Sequence, residues 1–319
     1  MPRGSSLRRL LLICVGLLGP ALLWVPPGQA ATCGFAGGTL TVTLTANDAV
    51  TIRVSGAAIT MNGVACGLAT TANTDFVTTA GTTTGSETFV LDLGGGALGP
   101  GLTSESSGTS EIEVRVDLGT GTDVFSVIGS GGADTIGLGS LGVNLNADDD
   151  VDAALVNTES VLVAAGAGND LISATGAGAV GSVFATPLIV RGDDGDDVLE
   201  GGGAADDLDG GAGADTITGG DGNDVIEGGA GNDTVRGDAG NDVIDGGDGD
   251  DLLNGEDGTD FIFGEGGNDR IRGGDGNDEL QGGDGNDVVT GLAANDRMLG
   301  NAGADVMFGG DGSDLLTGH

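Results

Sequence analysis

The chemistry open to this chain lies in its aspartates and in their spacing. From Gly192 to Thr317 an aspartate recurs at every ninth residue, through fourteen successive nonapeptides without insertion or deletion. Numbering each copy as in Gly192 to Glu200, aspartate holds position six in every copy. An apolar side chain holds position eight, from Leu199, Leu208 and Ile217 to Met307 and Leu316. Glycine fills most of positions one, two and four, and Gly219-Gly220-Asp221-Gly222-Asn223-Asp224-Val225-Ile226-Glu227 is a clean copy. A disordered acidic tract has no reason to keep an apolar residue at one phase, so the pattern predicts a folded repeat. Residues seven to nine read as a short strand in which position eight alone faces inward. The glycines read as turns in backbone conformations closed to other residues. Such turns let carbonyl oxygens converge beside the carboxylates. The array has no cysteine or histidine, and a site built only of oxygens suits a hard cation with many ligands, which is calcium rather than zinc.

The pattern G-G-x-G-x-D-x-U-x resembles the RTX, or hemolysin-type, calcium-binding repeat family. The resemblance implies a right-handed parallel β-roll with two nonapeptides per turn and calcium between adjacent turns. Each aspartate would then share an ion with the aspartate two repeats on, making two ladders. One contains Asp197, Asp215, Asp233, Asp251, Asp269, Asp287 and Asp305; the other contains Asp206, Asp224, Asp242, Asp260, Asp278, Asp296 and Asp314. Backbone ligands would come from the glycines of the clean copies: Gly219, Gly220 and Gly222; Gly228, Gly229 and Gly231; Gly246, Gly247 and Gly249; Gly273, Gly274 and Gly276; Gly282, Gly283 and Gly285. Six gaps in each ladder set an upper limit of about twelve calcium ions, with affinities of about 10⁻⁴–10⁻³ M. Carboxylates stacked about 4.8 Å apart repel by about 1 kcal/mol in water and about 3.5 kcal/mol at an effective dielectric of 20. The array is therefore expected to fold on binding calcium. Ala204 and Ala294 replace the fourth-position glycine, so the sites beside Asp206 and Asp296 should be the weakest. Glu256, Glu265 and Asn301 depart at position two.

The elements that hold this array are read from the rest of the chain. Arg3, Arg8 and Arg9 precede an apolar run from Leu10 to Trp24 and the exit Pro26-Pro27-Gly28-Gln29-Ala30, the form of a secretory signal peptide over residues 1–30. The run is short and broken by Gly16, Gly19 and Pro20, so no membrane span is expected after cleavage. Thr32 before Cys33 argues against lipidation. Cys14 leaves with the signal, and Cys33 and Cys66 remain as an even pair in an exported chain, where a disulfide is expected. Closing that loop stabilises by about 3–4 kcal/mol.

Residues 31–110 form a β-rich region with strands at Leu40–Leu44, Val50–Val54 and Phe89–Leu93. Residues 111–191 form an irregular β-solenoid with degenerate units such as Gly166-Ala167-Gly168-Asn169-Asp170-Leu171-Ile172. The regular roll occupies 192–317. The expected fold is all-β throughout, with a separate N-terminal sandwich as the alternative. Asp148, Asp149, Asp150 and Asp152 read as a solvated turn, with an accessory cation site as the alternative.

Composition excludes several functions. A net charge of −39, with 49 acidic and 10 basic residues, leaves no basic surface for nucleic acid or anionic membranes. His319 is the one histidine, so an H-E-x-x-H zinc protease is excluded; a lipase-type triad lacks its G-x-S-x-G elbow, and the terminal His319 is an implausible partner for one. Paired carboxylates are plentiful, but eight Phe, one Trp and no Tyr give little to stack a sugar on. No enzyme activity is expected. The signal peptide points to export by the general secretory route. The last copy runs into a fifteenth at Gly318-His319, leaving an open sheet edge suited to self-association, a surface or matrix partner, or a longer native chain.

Overall fold

The computed structural model describes the strands between Thr32 and Val156 together with Asn62 and Gly129, and then residues 160–176 and 183–318. The expected signal peptide, the segment Ala97–Ser110 and the acidic run at 148–152 lie outside the described residues. Every regular element described is a β-strand. Among the described residues no helix is long and apolar enough to cross a membrane.

The nine-residue period becomes a parallel solenoid because alternate copies fall in alternate sheets. Leu208 pairs with Ile226 and Ile226 with Ile244 in one sheet, while Leu199 pairs with Ile217 and Ile217 with Val235 in the other. Every register is a shift of eighteen residues, so two nonapeptides make one turn, with about seven turns over 189–317. The position-eight side chains from Leu199 to Met298 are all at most 1% exposed and form the thin core between the sheets.

Both sheets continue toward the N-terminus instead of ending at a separate sandwich. Thr88–Asp92, Val124–Ile128, Ser160–Ala167 and Leu188–Asp194 pair in parallel, in that order, and lead into the first sheet of the roll. Here the strands bury two apolar columns rather than one. Phe89, Phe125, Val161 and Leu188 are in register, and beside them run Leu91, Val127, Val163 and Val190. The rings of Phe89 and Phe125 stack with centroids 6.2 Å apart. Antiparallel strands Ala49–Ser55, Ala58–Met61 and Val64–Thr70 close this sheet, and Thr32–Ala36 closes the other against Thr39–Thr43. Cys33 and Cys66 form the expected disulfide between the two closing regions, with Cα atoms 5.7 Å apart.

Candidate metal site along the aspartate ladders

The strands of the roll are longer than three residues. Val225–Ala230 is typical: it covers positions seven to nine of one copy and one to three of the next, and buries both Ile226 and Gly228. Position eight is therefore not alone in facing inward. Position one also does, and it must be glycine because its inward space is used by a carboxylate. A methyl group on Gly228 would lie 2.7 Å from Asp233 Oδ2 and 2.6 Å from the Gly246 carbonyl oxygen one turn on. The equivalent two oxygens one turn on crowd Gly246, at 2.5 Å from Asp251 Oδ2 and 3.1 Å from the Gly264 carbonyl.

The aspartates themselves stack as two ladders. Asp197 through Asp296 are at most 3% exposed, while Asp305 and Asp314 on the last turn are half-buried. Beyond the first member of each ladder, Oδ1 accepts a hydrogen bond from the backbone N–H of the aspartate eighteen residues earlier. Asp197 donates to Asp215, Asp215 to Asp233 and Asp233 to Asp251, at 2.7–2.8 Å. The second ladder repeats this from Asp206 and Asp224 to Asp314. One carboxylate oxygen is thus committed to holding adjacent turns in register. The other is not: Oδ2 of Asp197, Asp215, Asp224, Asp233, Asp242, Asp251, Asp260, Asp269, Asp278, Asp287 and Asp296 is buried without a hydrogen-bond partner. A buried polar atom left unpaired costs about 1–3 kcal/mol, more if charged, so eleven of them in one array call for a common ligand. Burial pushes the carboxyls of Asp224 and Asp269 up to about 7, and those of Asp215, Asp233, Asp260 and Asp278 up to about 6. The accepted amide bonds oppose that rise, and neighbouring carboxylates add to it.

The glycines of the clean copies divide by role. Gly219, Gly228, Gly246, Gly273 and Gly282 at position one lie against the Oδ2 atoms. Gly220, Gly229, Gly247, Gly274 and Gly283 at position two have φ of 96–123°, and Gly222, Gly231, Gly249, Gly276 and Gly285 at position four have φ of 147–154°. The two conformations differ in what they tolerate. Near φ 70° a side chain is strained but possible, and position two carries Asp193, Asp238, Glu256, Glu265, Leu292 and Asn301 at φ 68–86°. Near 150° only glycine fits. Ala294 meets that restriction by moving to φ 78°. Ala204 avoids the left-handed region altogether, as does Gly202, because the turn at 201–206 takes a different path. The strain expected at Ala204 is absent for that reason.

Among the described residues no three His, Cys, Asp or Glu side chains gather at one point. A cation on these ladders would therefore take one or two carboxylates and complete its shell with backbone carbonyls. The array supplies those, since position-one carbonyls such as those of Gly246 and Gly264 share their space with an Oδ2. An all-oxygen, carbonyl-rich donor set fits calcium.

Two features escaped the repeat pattern. Asp170 belongs to the ladder that starts at Asp197: it is 2% exposed and its N–H donates to Asp197 Oδ1 at 2.7 Å. A nine-residue enlargement between Ser173 and Leu188 puts it 27 rather than 18 residues away and hides its phase, although Gly166-Ala167-Gly168-Asn169-Asp170 is a readable half-copy. The second is a surface ladder at position five. Oδ1 of Asn223, Asn232, Asn268, Asn277 and Asn286 each accepts the backbone N–H of position five one turn later. Recurrence of asparagine at that phase was its signal.

Residues 189–217, 218–253, 245–280, 254–289 and 281–316 match the family model described as RTX calcium-binding nonapeptide repeat (4 copies). No curated protein matches the chain.

Proposed function

Proceeding from residues 189–316 as RTX calcium-binding nonapeptide repeats, we propose that the chain is a secreted, non-enzymatic calcium-binding protein whose roll folds as it takes up the ion. The observation that carries this reading is the row of buried, unpartnered Oδ2 atoms beside position-one carbonyls. Bound calcium supplies positive charge between carboxylates that otherwise repel. The residues do the rest: the amide-to-Oδ1 bonds fix the spacing of the turns, and the glycines bring the carbonyls close. Up to about twelve ions would be shared along the two ladders. The signal-like N-terminus and the Cys33–Cys66 disulfide support an extracellular setting. In that setting a calcium-stiffened roll can serve as a surface or matrix element.

Calorimetric titration of the mature chain with calcium, repeated with magnesium and at two pH values, tests this. Burial raises the carboxyls of Asp215, Asp233, Asp260 and Asp278 from 3.8 to about 6 in the folded chain, and those of Asp224 and Asp269 to about 7. The ion-free roll therefore binds protons that the unfolded chain does not, and it loses stability as pH rises from about 4 to 7. Calcium needs the ionised carboxylates, so its affinity should rise over that window. Weaker binding at pH 5.5 than at 7.5, more residual β-structure without calcium at the lower pH, and little response to magnesium are expected. Affinity that does not change with pH would contradict the ladders as the site.

A further inference from the structure

The ladder that begins at Asp206 differs at its first member from every other rung. Asp206 Oδ2 accepts the Gly202 N–H at 2.8 Å, and its Oδ1 accepts the Leu188 N–H at 2.9 Å. Both oxygens are satisfied by protein amides, whereas the Oδ2 atoms of the rungs above it are buried without a partner. The cause is local. The described residues 174–176 and 183–187 lie beside the 201–206 turn: Phe184 N–H donates to the Ala174 carbonyl, and Gly203 N–H donates to the Phe184 carbonyl. Phe184 is buried there, and its carbonyl occupies the space a side chain on Gly202 would need.

The register shows what lies beneath Asp206. Ile189 pairs with Asp207, so Leu188 stands one turn before Asp206 at the same position. Leu188 in turn is in register with Val161, Phe125 and Phe89. One column of the solenoid therefore changes chemistry at this point, from apolar side chains below to carboxylates above. Below the junction the column is held by burial, which needs no ion.

We infer that Asp206 is a calcium-independent cap, not an ion ligand, and that the solenoid up to the Leu188–Asp206 junction stays folded without calcium and templates the roll from its N-terminal end. The inference rests on the calcium-dependent folding proposed above but can fail separately from it.

The test compares the mature chain with D206A and D224A by calcium calorimetry and by hydrogen exchange with and without chelator. Peptides spanning 183–192 and 199–207 in the parent chain should keep their protection in chelator, while those beyond about residue 215 lose it. D206A should bind as many ions as the parent chain and exchange about tenfold faster or more at Leu188 and Gly202 in chelator. D224A should bind fewer ions and leave those two amides unchanged. Equal loss of ions in D206A and D224A would overturn the cap. So would loss of protection at 183–207 together with the rest of the roll. If the whole array stays protected in chelator, calcium-driven folding fails, and the two variants' ion counts still decide the role of Asp206.

Discussion

Excess chelator should convert the roll from about residue 210 to 318 into a protease-sensitive, largely unfolded chain, with loss of most of its β circular dichroism. The reason is the ratio of charge to core. Each turn buries two position-eight side chains, such as Ile226 and Val235, and in exchange stacks a carboxylate on each of two ladders. Repulsion of about 3.5 kcal/mol per adjacent pair at an effective dielectric of 20 would accumulate against a net stability that in ordinary domains is only about 5–15 kcal/mol. Protonation relieves part of this, and the carboxyls are pushed upward first by burial and then by their charged neighbours; calcium relieves the repulsion at neutral pH. Readdition of calcium should restore the signal in a steep, cooperative transition, because each internal aspartate borders two gaps. Far-UV spectra and limited proteolysis that do not respond to chelator would contradict the expectation.

Gly249→Ala should be nearly as damaging as loss of the ion. Gly249 sits at φ +148°, a region only glycine occupies, and a methyl group there would overlap the Gly231 carbonyl of the turn below. Strain of about 1–3 kcal/mol for the backbone alone, with the overlap added, should raise the calcium concentration needed for folding by at least about tenfold. Gly266→Ala is the matched control. Gly266 lies outside the left-handed region, and its nearest neighbour would be Asp248 Oδ1 at 3.4 Å. That substitution should leave the transition within about twofold of the parent, since a tolerated Gly→Ala change is neutral or slightly stabilising. Equal behaviour of the two variants, followed by circular dichroism against free calcium, would mean that stacking of position-four turns does not limit folding.

The period of nine, the inward position eight and the two ladders were legible because each is a property of one repeating unit. Strand registers follow from the period: once Ile226 must lie on Leu208, Asp224 must lie on Asp206. What the pattern concealed depends on relations between units. The strand running from Val225 through Gly228 crosses a copy boundary, so a reading by copies ended it early. Residues at position two, such as Glu256 and Asp238, look like defects in sequence, but a φ near 70° makes them tolerable. Position four is stricter, and the one side chain it holds in a left-handed turn, Ala294, shifts φ by tens of degrees. The enlargement between Ser173 and Leu188 broke the period and hid both Asp170 and the capped state of Asp206. Only coordinates show which amide a carboxylate oxygen meets.

The most direct measurement is the anomalous scattering of calcium in crystals of residues 31–319 grown with the ion. Peaks are expected in two rows along the roll, each within coordination distance of a ladder Oδ2 such as that of Asp233 or Asp242, and none relying on Asp206. Peaks confined to exposed carboxylates such as Asp221 and Asp275, with the ladder Oδ2 atoms bare, would contradict the ladders as the calcium site.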